Sequence, residues 1–208
     1  RIALGESCLS LEQEHLQALL QQWLEVERQR GAFQVAALEE GIDIELSQLQ
    51  IRLRIDRIDR LADGSLLVMD YKTGKSALSE WYGERPSKPQ LLLYGLALES
   101  PPAALAFAQV RAGESKFVGL GTVEDVAGVI SVDGAVKSAR GSKREWLEGK
   151  DWAALNTEWQ SIVKRLAAAF VAGDAVVDPL DGACIWCGLQ PLCRIEARTV
   201  VNAEDQAS

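Results

Sequence analysis

The stretch RIDRIDRLADGSLLVMDYKTGK, residues 54–75, decides the fold of this 208-residue chain. Apolar and charged residues alternate along its first part, which predicts a half-buried β-strand. The turn signal ADG at residues 62–64 is followed by a second strand, SLLVMDYKTG. Because this strand opens with an apolar run from Leu66 to Met69, we expect it to be buried on both faces and central in a sheet.

The two strands bring three charged side chains together. Asp70 and Lys72 are two residues apart on one strand, so they project to the same side, with Tyr71 facing away. Asp56 lies on the polar face of the preceding strand, and the turn brings the two strand ends close. Two carboxylates from neighbouring strands can bind a hard cation such as Mg²⁺, to which the Tyr71 carbonyl could add a ligand. A lysine beside that metal can orient an attacking water or offset the charge of a phosphate.

A simpler interpretation is that Asp70 and Lys72 are solvated surface charges, as most pairs with this spacing are. The position of Asp70 at the end of an apolar run weighs against it. A buried charge without a partner is unfavourable, so a carboxylate at such a place is expected to have one.

The rest of the chain alternates between helical and strand patterns. Ser10, with Gln13 three residues later, predicts the start of an amphipathic helix that Gly31 ends. The apolar positions of this helix are Leu16, Leu19, Leu20, Trp23 and Val26. The other expected strands are FQVAALEE, the two arms of a hairpin that turns near Ser47 to Leu49, ALAFAQVRAG and KFVGLGTV.

Two further helices are expected. One is PQLLLYGLALES, with Pro89 near its start, and the other runs from Asp151 to Gly173. The apolar face of the longer helix consists of Leu155, Trp159, Ile162, Val163, Leu166 and Phe170. Residues 124–150 are expected to be irregular with short helices. This order of elements predicts the α/β class, with helices around a central mixed β-sheet.

Composition limits the classes of function. The chain is 48% hydrophobic and 25% charged, as soluble globular domains are, and no apolar run approaches the ~20 residues of a membrane span. The net charge of −8 argues against a domain that binds nucleic acid through its overall charge. It leaves room for a local basic groove, or for an acidic site neutralised by a divalent metal.

Three of the four cysteines, Cys184, Cys187 and Cys193, follow the spacing C-x2-C-x5-C near the C-terminus. A disulfide scaffold would need more cysteines in a smaller chain. The clustering favours a metal site in a reducing compartment. Cys8 is the fourth cysteine.

The segment RIDRID, the turn and LLVMDYKTGK together resemble the nuclease signature of the RecB and AddB exonucleases, in the PD-(D/E)XK superfamily. This resemblance implies a restriction-endonuclease-like core with a cysteine-bearing C-terminal tail. It makes Asp56 the first metal ligand, Asp70 the second acidic residue and Lys72 the lysine of the motif. Leu53 stands where the family often has glycine. The resemblance extends over residues 33–98 and 174–195, and between them it depends on the order of elements alone.

Other positions acquire roles from the same resemblance. The family carries Q-x-x-x-Y on a helix after DYKTG, which implies that Gln90 and Tyr94 line the path of the DNA. Glu39 stands where relatives often have an accessory acid. His15, the only histidine, stands near the family's G-x-x-x-H helix, but Leu11 replaces the glycine. We therefore favour an ordinary surface histidine over a metal ligand.

The C-x2-C-x5-C segment resembles the cluster motif of several RecB-like nucleases, where an upstream cysteine completes a [4Fe–4S] site that pins the tail to the domain. Cys184, Cys187 and Cys193 match that motif. The fourth ligand is Cys8 or a residue upstream of this chain. Zinc is the competing metal, because tetrahedral sulfur sites suit either. Unliganded cysteines are a third interpretation.

The resemblance implies a DNA exonuclease of repair or recombination that depends on Mg²⁺ or Mn²⁺ and works in a bacterial cytoplasm. Its partners would be DNA and a helicase domain or subunit, and not a membrane. Residues 1–208 would form a single nuclease domain, a C-terminal fragment of a longer protein. Two alternatives stay open: an inactive nuclease fold that holds DNA or a helicase partner, and an iron–sulfur structural module.

Overall fold

A computed structural model describes residues 6–180, 182–185 and 187–193 of the chain. It divides into two compact units, Arg1–Ala168 and Ala169–Ser208. The first unit contains a six-stranded sheet in the order β1-β2-β3-β4-β5-β6. The strands are β1 Phe33–Leu46, β2 Leu49–Leu61, β3 Leu66–Lys72, β4 Ala104–Gln109, β5 Lys116–Gly121 and β6 Val129–Ile130.

Strands β3 and β4 pair in parallel, as do β5 and β6, and the other neighbours are antiparallel. The helices are α1 Glu6–Arg28, α2 Gln90–Ala97, α3 Val132–Ser138, α4 Ser142–Leu147, α5 Trp152–Val171 and α6 Gln190–Cys193. A short 3₁₀ helix covers Leu78–Glu80. The predicted α/β class, a central mixed sheet flanked by helices, is therefore confirmed.

The central strand is β3, as its apolar run predicts. Leu67, Val68 and Met69 are fully buried, and β3 has three neighbours on one side of the sheet and two on the other. The antiparallel pairing of β2 with β3 covers only four residue pairs and ends, toward the predicted site, at Arg57 opposite Met69. Asp56 and Asp70 lie immediately beyond this last pair, where the two strands separate.

The first hairpin is longer than predicted. The segments FQVAALEE and IDIEL, expected as two strands, form the single 14-residue strand β1. Its pairing with β2 continues past a register shift between Val35 and Ala37, so the irregularity bends the strand without ending it. The turn falls at Ser47 and Gln48, both with positive φ, as a two-residue hairpin requires.

Helix α1 differs from its prediction at both ends. It includes Glu6 to Leu9, so Ser10 lies inside the helix and does not cap it. Leu9 precedes Leu16 by two turns on the same side of the helix, and it is 55% exposed. At the other end the helix stops at Arg28, three residues before Gly31.

Only part of each long helix's apolar face is covered. Trp23 is buried on α1, whereas Leu16 is 55% exposed and Leu20 48%. On α5 the buried stripe is Leu155, Trp159, Ile162, Val163 and Ala167, and the predicted members Leu166 and Phe170 are exposed. Periodicity predicts which side of a helix faces a core, but not where along the helix that core stops.

The core lies on both faces of the sheet. On the front face, Val68 and Phe107 pack with side chains from α2 and α5. On the back face, Leu67 and Met69 pack with Trp23 of α1.

Four charged residues pack together where the end of α1 meets β2, and we call them the charge ring: Glu27, Arg30, Arg57 and Asp59. The ring is closed, since each arginine contacts both acids at 2.7–3.0 Å.

Candidate active site

Asp70 is the centre of the site. It is 1% exposed at the end of β3, and its Oδ2 lies 2.5 Å from Lys72 Nζ. Beyond this ion pair, Oδ2 has no hydrogen-bond partner among the described residues. Burial raises the pKa of Asp70 above its ordinary value, Lys72 and Lys88 oppose that rise, and the charge of Asp56 adds to it. The surroundings therefore stabilise the ionised carboxylate less well than water does.

Asp56 reaches across the gap between the separated strands. Its Oδ2 accepts a hydrogen bond of 2.8 Å from the backbone N–H of Tyr71. This contact holds the Asp56 carboxylate beside the end of β3, near enough to Asp70 to affect its pKa. The two carboxylates and Lys72 therefore converge on one place, as strand alternation predicts.

A chain of three hydrogen bonds fixes the position of Lys72. Lys72 Nζ donates to Gln90 Oε1 at 3.0 Å, and Gln90 Nε2 donates to Tyr94 Oη at 2.5 Å. Tyr94 Oη donates in turn to the carbonyl of Arg54 at 2.6 Å. Because Gln90 and Tyr94 are one turn apart on α2, this helix ties the lysine to the backbone of β2 two residues before Asp56.

Tyr94 belongs to the interior of the site and not to its surface. It is 2% exposed, and its hydroxyl bonds to Gln90 and Arg54. Burial raises the pKa of Tyr94, and the nearby Asp56 and Asp70 charges add to the rise, against the opposing effect of Gln90. The phenol therefore keeps its proton at neutral pH and acts as a donor. These contacts favour a positioning role, whereas the sequence predicts contact with DNA.

Two predicted accessory residues, Glu39 and His15, lie on β1 and α1, and the charge of Glu39 is near enough to Tyr94 to raise the pKa of that phenol. Glu39 Oε2 pairs with Arg54 Nε at 2.6 Å on the exposed side of β1 and β2. Its φ of 51° is unusual for a residue other than glycine. His15 is exposed on α1. Neither residue joins a group of three potential metal ligands within the described ranges.

The cysteines are free thiols in the structure. Cys8 is exposed on α1, in the first unit. In the second unit, Cys187 N donates to the Cys184 carbonyl at 3.3 Å, which closes a turn over the C-x2-C segment, and Cys193 ends α6. The part of the chain that the structure describes holds no group of three cysteine, histidine or acidic side chains placed to bind a metal. Within the described part of the second unit, Cys184, Cys187 and Cys193 do not form a preformed metal site, and the [4Fe–4S] cluster stays a prediction.

The carboxylate pair does suit a divalent cation. Asp70 is buried with one cationic partner, and Asp56 raises its pKa, so the pair carries negative charge that a cation would neutralise. The ligand set is small, because these are two carboxylates and not three. Such a site fits Mg²⁺ or Mn²⁺ that keeps several water ligands.

Several residues near the site were missed in the sequence. Lys88, paired with Glu80 at 2.9 Å, lies close enough to Asp70 to lower its pKa. Arg57 contacts the Tyr71 hydroxyl from the back of the sheet. The available signal for Arg57 was the second half of RIDRID, whose Arg57 and Asp59 put charge on the face of β2 opposite to that of Asp56.

Comparison with known proteins identifies the family of the chain. The model of the PD-(D/E)XK nuclease superfamily matches residues 6–194, so the chain belongs to this superfamily. The predicted restriction-endonuclease-like core and the predicted superfamily are thereby confirmed.

A more specific likeness is to an ATP-dependent helicase/deoxyribonuclease subunit from Streptococcus mutans serotype c (strain ATCC 700610 / UA159). The two sequences are 43% identical over 68 residues, which are 32% of this chain and 6% of that protein. This chain therefore matches only a small part of the relative's length. No helix in the described ranges is long and apolar enough to cross a membrane.

Proposed function

We propose that the chain is a metal-dependent deoxyribonuclease that hydrolyses phosphodiester bonds at the site of Asp56, Asp70 and Lys72. One observation carries the proposal: the two carboxylates and the lysine converge where β2 and β3 separate, within a chain of the nuclease superfamily. Asp56 and Asp70 would hold Mg²⁺ or Mn²⁺. The bound cation would supply Lewis-acid polarisation of the scissile phosphate and a water of lowered pKa.

The remaining chemistry belongs to the protein's own side chains. Lys72, fixed by Gln90, presents its ammonium group beside Asp70, where it can offset charge on a phosphate oxygen or orient the attacking water. Tyr94 holds Gln90 in place and keeps that donor aligned. Lys88 supplies a second positive charge near Asp70.

The finer parts of the proposal depend on likeness to the streptococcal helicase/deoxyribonuclease. A helicase domain or subunit as partner, exonucleolytic action and a role in DNA repair or recombination are what that relative's name and the RecB-like motifs support. A cytoplasmic location follows from the same argument. The competing function is a nuclease fold that binds DNA without cutting it, which the small ligand set favours.

One experiment separates these functions. Labelled linear single- and double-stranded DNA is incubated with Mg²⁺ or Mn²⁺ and with the wild type, Asp70→Asn or Asp133→Asn, the last an exposed carboxylate on α3. We expect cleavage by the wild type and by Asp133→Asn, faster with Mn²⁺ because Mn²⁺ binds such sites more tightly.

Asp70→Asn should cut on the order of a thousandfold more slowly, because metal catalysis supplies several kcal/mol and about 1.4 kcal/mol is a factor of ten. Cleavage that persists in Asp70→Asn, or that needs no divalent ion, would assign the activity elsewhere. DNA binding without cleavage under every condition would favour the non-cutting function.

A further inference from the structure

The hydroxyl of Tyr71 joins the two strands that carry the site. Arg57 NH1 lies 3.0 Å from Tyr71 Oη, on the back of the sheet. On the other side, the backbone N–H of the same Tyr71 donates to Asp56. Arg57 follows Asp56 directly in the chain, so residues 56, 57 and 71 form a small closed loop of covalent and hydrogen bonds.

This loop stands where the backbone pairing between the two strands has ended, on the side of the sheet opposite to the link from Lys72 through Gln90 and Tyr94 to Arg54. The β2–β3 pairing ends at Arg57 opposite Met69, one residue short of both carboxylates. Beyond that pair, the described contacts between the strand ends are the two that Tyr71 makes, one through its side chain and one through its N–H.

The charge ring makes Arg57 a rigid partner for Tyr71. Arg57 binds Asp59 through two nitrogens, at 2.7 and 3.0 Å, and Asp59 is fully buried. Glu27 of α1 accepts from Arg57 at 3.0 Å. Burial alone would lower the pKa of Arg57, but its hydrogen bonds to Asp59 and Tyr71 raise it above the ordinary value. The guanidinium is therefore always charged and is held by bonds on several sides.

Tyr71 is 38% exposed, and its ring packs against α1. It meets the indole of Trp23 edge to face, with centroids 5.8 Å apart, and that indole is buried against Phe117. Helix α1 therefore holds Tyr71 by an aromatic contact and Arg57 by an ion pair.

We propose that Tyr71 is a positioning residue which, through its hydroxyl bond to Arg57, sets the spacing of the Asp56 and Asp70 carboxylates and so the affinity of the site for a divalent cation. The inference depends on the proposed function, because it concerns the same site. A hydroxyl on the back of the sheet would thus control a cation on its front.

The test measures cation binding directly. Mn²⁺ is titrated into metal-free protein, and free Mn²⁺ is followed by electron paramagnetic resonance for the wild type, Tyr71→Phe and Tyr82→Phe. Tyr82 provides the matched control, since its ring stacks on Trp146 of α4. Asp70→Asn removes one carboxylate of the site, so the Mn²⁺ binding that this variant loses is the binding at the site.

We expect Tyr71→Phe to raise the Kd for Mn²⁺ about fivefold, the effect of losing one ordinary hydrogen bond. Tyr82→Phe should leave that Kd unchanged. The melting temperature of each metal-free variant reports whether the loss is only structural. A lower melting temperature with an unchanged Kd in Tyr71→Phe would overturn the proposal.

Arg57→Lys gives a second approach, because lysine keeps the charge but not the planar group that reaches Tyr71. Combined with Tyr71→Phe it should raise the Kd no further than the stronger single change, since both remove one contact. If the double variant instead raised the Kd by the product of the two single factors, the two residues would act independently, and this would count against the shared contact. If wild-type binding does not depend on Asp70, the proposed function fails together with this inference; if it does and Tyr71→Phe binds normally, only the inference fails.

Discussion

At the scale of single residues, the buried charge of Asp70 governs both stability and metal binding. Its carboxylate is almost inaccessible, and Lys72 compensates it only in part, because the net effect of the surroundings is a raised pKa. A folded protein that holds such a group ionised is less stable than one that holds it neutral. Binding of a cation at the site would therefore stabilise the folded protein.

The raised pKa gives the stability of the metal-free protein a definite pH dependence. Between the ordinary carboxyl pKa of 3.8 and the raised value, the folded state keeps a proton that the unfolded chain has released. Stability therefore falls as pH rises through this window. We expect Asp70→Asn, which cannot ionise, to be more stable than the wild type at neutral pH in the absence of metal. That advantage should shrink as pH falls toward 3.8.

Urea unfolding at several pH values, in the presence of a chelator, measures this effect. Asp133→Asn is again the control. The difference between its free energy of unfolding and that of the wild type should not change with pH in the same way. An Asp70→Asn protein that is less stable than the wild type by the same amount at every pH would contradict the assignment of Asp70 as an undercompensated charge.

Tyr94→Phe separates positioning from contact with DNA. The hydroxyl holds Gln90, and Gln90 holds Lys72, whereas the buried ring has little surface to offer a nucleic acid. We expect a loss of about 1 kcal/mol in stability, or a melting temperature lower by roughly 2–4 °C. In the cleavage assay kcat should fall while KM stays close to the wild-type value. A raised KM with an unchanged kcat would restore the interpretation that Tyr94 lines the DNA path.

At the scale of elements, α5 anchors the loop that leads to the site helix. Trp159 Nε1 donates to the Trp81 carbonyl at 3.0 Å, and the two indoles meet edge to face. We expect Trp159→Ala to lower the free energy of unfolding by about 3–5 kcal/mol, as large aromatic truncations in cores do. Phe170→Ala, on the same helix but 73% exposed, should change it by no more than ~0.5 kcal/mol. The free energy of unfolding is measured by chemical denaturation, and equal losses in the two variants would contradict this description of the core.

Element types were largely predictable, because periodicity reports which side of an element is buried. Strand β3, helix α2 and helix α5 are where the patterns predict them. The segment after β3 is different: it has a loop-like composition, yet it carries the buried Trp81, which packs on Phe107 of β4. Turn-forming residues predict the irregular backbone of such a segment. Whether one of its side chains joins the hydrophobic core depends on long-range packing, which those residues do not report.

At the scale of the whole molecule, the convergence of Asp56, Asp70 and Lys72 could be derived from the sequence because two adjacent strands and one turn suffice to place them. The charge ring could not. It joins Glu27 on α1 and Arg30 just after α1 to Arg57 and Asp59 on β2, and no periodicity encodes contacts over that separation in sequence. The link from Lys72 through Gln90 to Tyr94 could be predicted only in part. The spacing of Gln90 and Tyr94 was visible in the sequence, but the burial of Tyr94 in the protein was not.

The charge ring also restricts how this sequence can change over evolutionary time. Each of its four members contacts two others, so replacing any one alone would leave three buried charges that no longer balance, a loss of up to roughly 3–5 kcal/mol. Lineages should therefore either inherit Glu27, Arg30, Arg57 and Asp59 as a set or exchange them for apolar residues in concert. Among related sequences these four positions are expected to covary with one another more strongly than with their neighbours along the chain.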